Sequence, residues 1–186
     1  MARFYIVMSV LLVLGPHQLA AATIDVPLGG SIQSAIDMAS DGDVIQLQAG
    51  VYPVVVTLNT TGKSIILQGV DQRETILDGM NWSRVLLIPH GDGSGAEIRD
   101  LMVRNGRANF GSGVLVSGTA SLFDAVTFEG NVSTDSGPGG ALHVDAADVT
   151  VKNSNFQGNV SFGSGGGICA QSVSVIAIEH CQFTEN

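Results

Sequence analysis

The densest gathering of chemically able side chains in this sequence is His90-Gly91-Asp92-Gly93-Ser94-Gly95, with Glu97 just beyond it and Arg104 and Arg107 one loop later. Carboxylates, an imidazole and two guanidiniums on one short stretch could hold a hard cation or a uronate. The competing and weightier reading is a glycine-rich turn between two repeating units, and the stretch lacks the regular GGxGxDxUx spacing of calcium-binding β-rolls. Asp145 and Asp148, with His143 nearby, make a second acidic group; two carboxylates are too few oxygens for a hard cation, so they read as solvated turn acids. Gly163 to Gly167 leads into a strand with no lysine or helix after it, unlike a phosphate loop. Cys169 and Cys181 are the only cysteines. Both fall in columns expected to face inward, where they are either two buried thiols or, in an oxidising compartment, a disulfide across one coil. Asn-x-Ser/Thr triplets at Asn59, Asn81, Asn131 and Asn159 become glycosylation acceptors if the chain is exported by a eukaryote. Nothing in these residues calls for a cofactor or a metal.

The elements that would carry these residues come from an internal repeat. Gly113-Val114-Leu115-Val116, Gly140-Ala141-Leu142-His143-Val144 and Gly167-Ile168-Cys169-Ala170 form one family; Phe128-Glu129-Gly130-Asn131, Phe156-Gln157-Gly158-Asn159 and Phe183-Thr184-Glu185-Asn186 form a second, with a weaker ancestor at Val103 to Gly106. Both recur at about 27 residues. Each unit alternates short Val-, Ile- and Phe-rich runs with Gly, Ser, Asn and Asp, which is strand and turn chemistry with no room for a crossover helix. Such a unit suits one coil of a parallel β-solenoid, stacked about 4.8 Å from the next.

Alignment on the Phe position predicts three inward columns: Ile98, Phe123, Val151, Ile178; Leu101, Val126, Ser154, Cys181; and Val103, Phe128, Phe156, Phe183. A fourth column, Arg99, Asp124, Lys152, Glu179, alternates in sign, as directly facing neighbours must. Asn131, Asn159 and Asn186 suit a ladder of amides bonded along the stack. The outward columns Met102, Thr127, Asn155, Gln182 and Asp100, Ala125, Asn153, His180 supply no pair of carboxylates. The fold expected is therefore all-β: a single-stranded right-handed parallel β-helix of about five coils.

At the front, Ser31 to Ala39 places Ile32, Ala35, Ile36 and Ala39 on one helical face, with Ser31 as N-cap and Gly42 as the stop. A short amphipathic helix of this kind caps an open solenoid end. From Asp43 onward, Val44 to Leu47, Val54 to Leu58, Ile65 to Leu67 and Thr75 to Leu77 read as strands of the first two coils. Residues 1–22 read as an export signal: Arg3, then an apolar run Phe4 to Leu14, a Gly15-Pro16 breaker, and Ala20-Ala21-Ala22 with cleavage expected after Ala22. Residues 23–42 are the cap and 43–186 the β-helix. The apolar run is too short to span a bilayer, where about 20 residues are needed, so no transmembrane helix is expected after signal removal. The sequence has 8 basic and 17 acidic residues. Loss of Arg3 leaves seven basic residues and a net charge of −10, which argues against nucleic acid and anionic membrane as partners. Because Asn186 falls inside a repeat, further coils or a cap are expected to cover that end.

Ser31-Ile32-Gln33-Ser34-Ala35-Ile36 through Gly42-Asp43-Val44-Ile45, with Gly50-Val51-Tyr52 and Leu67-Gln68-Gly69 to Asp78-Gly79, resembles the start of pectin lyase-like β-helix proteins, pectinesterases included. Residues 111–186 resemble the GGA[LIV] and FxxN repeats of polymorphic outer membrane proteins. The first resemblance implies enzymes acting on acidic polysaccharide; the second implies a surface adhesin. The pectinesterase signature GxxDFxFG and the galacturonase GHG are absent, so the expectation is an exported, non-catalytic, secreted or surface scaffold binding glycans or extracellular proteins along its side. The alternative is a carbohydrate-active enzyme of the pectin lyase-like class, with its site outside these residues or in the His90 to Arg107 region.

Overall fold

The computed structural model describes residues 20–91, 95–172 and 175–186. Most of the expected export segment, residues 1–19, therefore lies outside the described residues, as does Asp92.

The alternating apolar runs stack in parallel, each residue above its counterpart one coil away. Among the described residues they make three parallel sheets, of eleven, five and three strands. The largest runs through Thr23–Val26, Val44–Leu47, Ile66–Gln68, Glu97–Arg104, Ser121–Glu129, Val149–Lys152 and Ile176–Glu179 in that order. The second runs from Leu58–Asn59 to Ile168–Gln171, and the third joins Arg107–Ala108, Val132–Ser133 and Val160–Ser161. This is a right-handed parallel β-helix of about five coils with one short helix, the hand expected of parallel crossovers.

The three inward columns and the charged column are in register: Ile98 pairs with Phe123, Phe123 with Val151 and Val151 with Ile178, while Asp124 lies between Arg99 and Lys152. Phe123, Phe128 and Phe156 are fully buried, each removing enough apolar surface to contribute about 2 to 3 kcal/mol. Phe128 stacks on Phe156 and Phe156 on Phe183 with ring centroids 4.6 Å apart in both pairs, one ring per rung.

One feature of the columns has a backbone cause. Ile98, Leu101 and Val103 all face inward although a flat strand alternates sides strictly. Asp100, Ala125, Asn153 and His180 have φ of 55°, 53°, 51° and 51°. This left-handed corner in every coil turns the chain and resets the alternation, dividing the large sheet into two strips. What looked like an outward strand column is that corner.

Register also corrects the glycine-led alignment. Val114 pairs with Leu142, and Leu142 with Ile168. Gly140 thus sits one residue ahead of the column shared by Gly113, Ala141 and Gly167. The error moves Cys169: it pairs with His143, on the outward face, whereas Cys181 packs against the core. Cys169 lies in the strand Ile168–Gln171 of the second sheet and Cys181 in the link between Ile176–Glu179 and Gln182–Thr184 of the first; both are free thiols, so the disulfide considered from sequence is not formed.

The front end differs in two places. The helix Ile32–Met38 buries Ile32, Ala35 and Ile36, with Ser31 Oγ accepting the Ser34 N–H at 3.1 Å. It ends at an extended Ala39, not at Gly42, whose positive φ belongs to the next turn. The ladder begins ahead of the helix, where Thr23–Val26 pairs with Val44–Leu47. Val54 to Leu58 is mostly not strand: Val55 and Val56 are exposed in a bend, and pairing resumes only at Leu58–Asn59. Among the described residues no helix is long and apolar enough to cross a membrane.

Candidate functional site

Among the described residues, the polar cluster singled out from the sequence does not assemble, Asp92 lying outside them. His90 is exposed after the strand Leu86–Ile88, its Nδ1 2.8 Å from the Gly118 carbonyl. Glu97 opens the strand Glu97–Arg104 and pairs with Arg99 at 3.0 Å, while Arg104 closes it and pairs with Asp78 at 2.8 Å. Glu97 and Arg104 lie on opposite sides of the corner at Asp100, on different strips of the large sheet. Arg107 belongs to the third sheet, opposite Val132. These are scattered structural contacts, and among the described residues no group of three or more His, Cys, Asp and Glu could hold a metal.

The sequons divide sharply. Asn131 and Asn159 are fully buried. Asn131 Nδ2 donates to Asn159 Oδ1 at 2.9 Å, and Asn159 Nδ2 to Asn186 Oδ1 at 2.7 Å. The same amides also donate to the Val103 and Phe128 carbonyls. The folded stack has no place for a glycan on either, which corrects their reading as acceptors. Asn81 is exposed, in the left-handed conformation. Asn59 is half-buried, its Oδ1 accepting the Thr61 N–H at 2.7 Å.

His143, read as part of a solvated turn, is a strand residue with 4% exposure and an Nδ1 that has no partner. Phe110 packs on it with centroids 5.6 Å apart, and the Arg84 guanidinium lies 5.3 Å over the Phe110 ring. Gly111 and Gly139, both at positive φ, close over it: a Cβ on either would stand 2.9 or 2.8 Å from the His143 Cβ. Burial pushes the imidazole below its ordinary pKa; Asp145 opposes this and Arg84 reinforces it.

Where side chains do converge is on the second strip of the large sheet. There the outward column Met102, Thr127, Asn155, Gln182 stands beside a second, Asp78, Arg104, Glu129, Gln157, Thr184. The segment 69–74 links Ile66–Gln68 to Thr75–Asp78, where the later coils use a single left-handed residue, and it folds over this floor. Gln72 Oε1 accepts the Thr127 hydroxyl at 2.8 Å and the Asn155 amide at 3.4 Å. Beside it opens a polar groove of about 320 Å³ reaching from Arg73 to Gln182 and Thr184. Hydroxyls and amides dominate its floor, with Glu129 the carboxylate and Arg73 the cation.

Asp78 lies at one end of the second column. Burial pushes its carboxyl up, but the Met80 N–H, Arg104 and Asn105 outweigh this and hold it below the usual carboxylate range. Asp124 behaves alike: burial opposes, while Asn153, Lys152 and Arg99 together lower it. Neither is tuned to carry a proton near neutrality, which general-acid chemistry requires. Sequence reasoning missed Gln72, Arg73 and Glu129; the available signal was the charged loop Asp71-Gln72-Arg73-Glu74, longer than the corners of later coils.

Fold and groove together define a parallel β-helix with a polar cleft along its side. No family model and no curated protein matches the chain. Among solved structures it is similar to a pectin methylesterase from carrot, with 16% identity and a TM-score of 0.48 over 88% of this chain and 64% of that one. The chain thus spans less than two thirds of that protein's length.

Proposed function

We propose that this chain is an exported, non-catalytic β-helix scaffold of a surface or extracellular protein, which holds a glycan in the groove beside the loop 69–74. The observation that carries the reading is the floor of that groove. Thr127, Asn155 and Gln182 succeed one another one rung apart, at about 4.8 Å, with Gln157 and Thr184 alongside. A row of neutral donors and acceptors at regular spacing suits a hydroxyl-bearing polymer laid along the stack. Asp78, paired with Arg104 and held below the usual carboxylate range, is not suited to the proton-donor role of a general acid.

The test is affinity electrophoresis of the purified chain through gels containing a panel of polysaccharides, with product assays on polygalacturonate and methyl-esterified pectin run in parallel. Retardation that Gln157→Ala and Asn155→Ala weaken, with no product formed, is expected. Product release abolished by Glu129→Gln would establish the enzyme alternative instead, and no retardation on any polymer would overturn glycan binding.

A further inference from the structure

We propose that the exported chain is cut between Ala21 and Ala22, so that the new α-ammonium of Ala22 seats on the carboxylate of Asp43. The inference rests on reading residues 1–22 as an export signal. Ala20-Ala21-Ala22 gives a signal peptidase a small residue before the cut whether it acts after Ala21 or after Ala22, and the sequence rule alone places the cut after Ala22. The folded chain distinguishes the two.

Asp43 is 9% exposed. Its Oδ1 accepts the Ala22 N–H at 2.8 Å and its Oδ2 the Ser40 N–H at 2.8 Å. The Ala22 carbonyl in turn accepts the Val44 N–H at 2.8 Å, one step before the ladder proper begins at Thr23 opposite Val44. Cutting after Ala22 removes both of the bonds that residue makes. A largely buried carboxylate then keeps one backbone donor, and the N–H that opens the strand Val44–Leu47 loses its acceptor. Cutting after Ala21 keeps both and replaces a neutral donor by a cation at the same place. A charge-assisted bond of this kind is about twice as strong as a neutral one. In the hydrolysis water supplies hydroxyl to the Ala21 carbonyl carbon, the C–N bond breaks, and the nitrogen takes the proton; the leaving peptide ends in the Ala21 carboxylate.

The full chain is expressed with its own residues 1–22 in an exporting host, and the exported product is examined by intact mass and N-terminal sequencing. The expected product begins Ala22-Thr23-Ile24. A product beginning at any other residue overturns this assignment and leaves export standing, whereas a chain retained uncut overturns both. The pairing itself is read from the unfolding midpoint against pH. Asp43 raises the proton affinity of the α-amine in the folded state, so wherever Asp43 is ionised the pair's contribution is full below the unfolded α-amino value, about 8, and is lost as pH rises through the higher folded value. Asp43→Asn should lower the midpoint at neutral pH and abolish this alkaline loss. Parallel curves for the two chains would overturn the ammonium–carboxylate contact.

Discussion

The coils after Gly95 and those before it solve the same packing problem differently. In the later coils several columns are regular: phenylalanine over phenylalanine, asparagine over asparagine, and charges alternating along Arg99, Asp124, Lys152 and Glu179. In the early coils the rows are aliphatic, as in Ile24, Ile45 and Leu67, and individual side-chain bonds add to them in fastening one coil to the next. Gln33 bridges to the backbone of Asn59, the Lys63 ammonium caps the Ile36 and Asp37 carbonyls at 2.8 Å, and the Tyr52 hydroxyl donates to Val26 and Gln48. Repetition makes stacking regular; irregularity lets a coil carry a loop. The groove exists because the early coil's loop 69–74 reaches sideways over later rungs.

That contrast can be broken first at the aromatic row. Phe128→Ala removes a buried ring stacked on Phe156 and tilted against Phe123 and should cost about 4 kcal/mol, read as a lower urea midpoint; a loss below about 1 kcal/mol would mean the row adds little. Asn159→Ala comes next. It strands the buried Asn131 amide and the Phe128 carbonyl, for an expected loss of about 3 kcal/mol.

Acid should act on the later coils through His143. With its folded pKa depressed by burial, the unfolded chain binds the extra proton. Stability is therefore full above the unfolded value, about 6.5, and falls as pH drops below it. In His143→Leu, with Leu115 as its column neighbour, the slope between pH 7 and 5 should flatten; an unchanged slope would assign the acid sensitivity elsewhere. On the early side, Gln72→Ala should cost no more than about 1 kcal/mol in thermal stability while weakening any ligand held in the groove, since it frees the loop from Thr127 and Asn155. The smallest effect is expected for Lys152→Ala, about 0.2 to 1 kcal/mol and reduced by salt, because its 3.2 Å pair with Asp124 is partly exposed.

The same contrast explains what could be read from the residues alone. The inward columns and the amide row were legible because Phe and Asn recur at nearly constant intervals. The corner in each coil was not: Asp100, Asn153 and His180 are of the types that most readily adopt a positive φ, but the same types fill ordinary turns, and Ala125 breaks the row. The face of Cys169 was misread because Gly140 and Gly113 occupy different rungs of a repeat that drifts by one residue. The groove lay out of reach because Gln72 meets partners 55 and 83 residues away, and no period connects an early-coil loop to a later wall.

The row of asparagines gives the molecule an internal direction. Each amide receives on its oxygen and gives from its nitrogen toward the next coil, from the Gly106 N–H through Asn131 and Asn159 to Asn186. The dipoles therefore add head to tail along a dry axis, and each bond polarises the one behind it. Such a file behaves as a zipper with a preferred heading: a coil seated at its end strengthens those already closed, and a coil removed from its middle weakens the links on both sides at once.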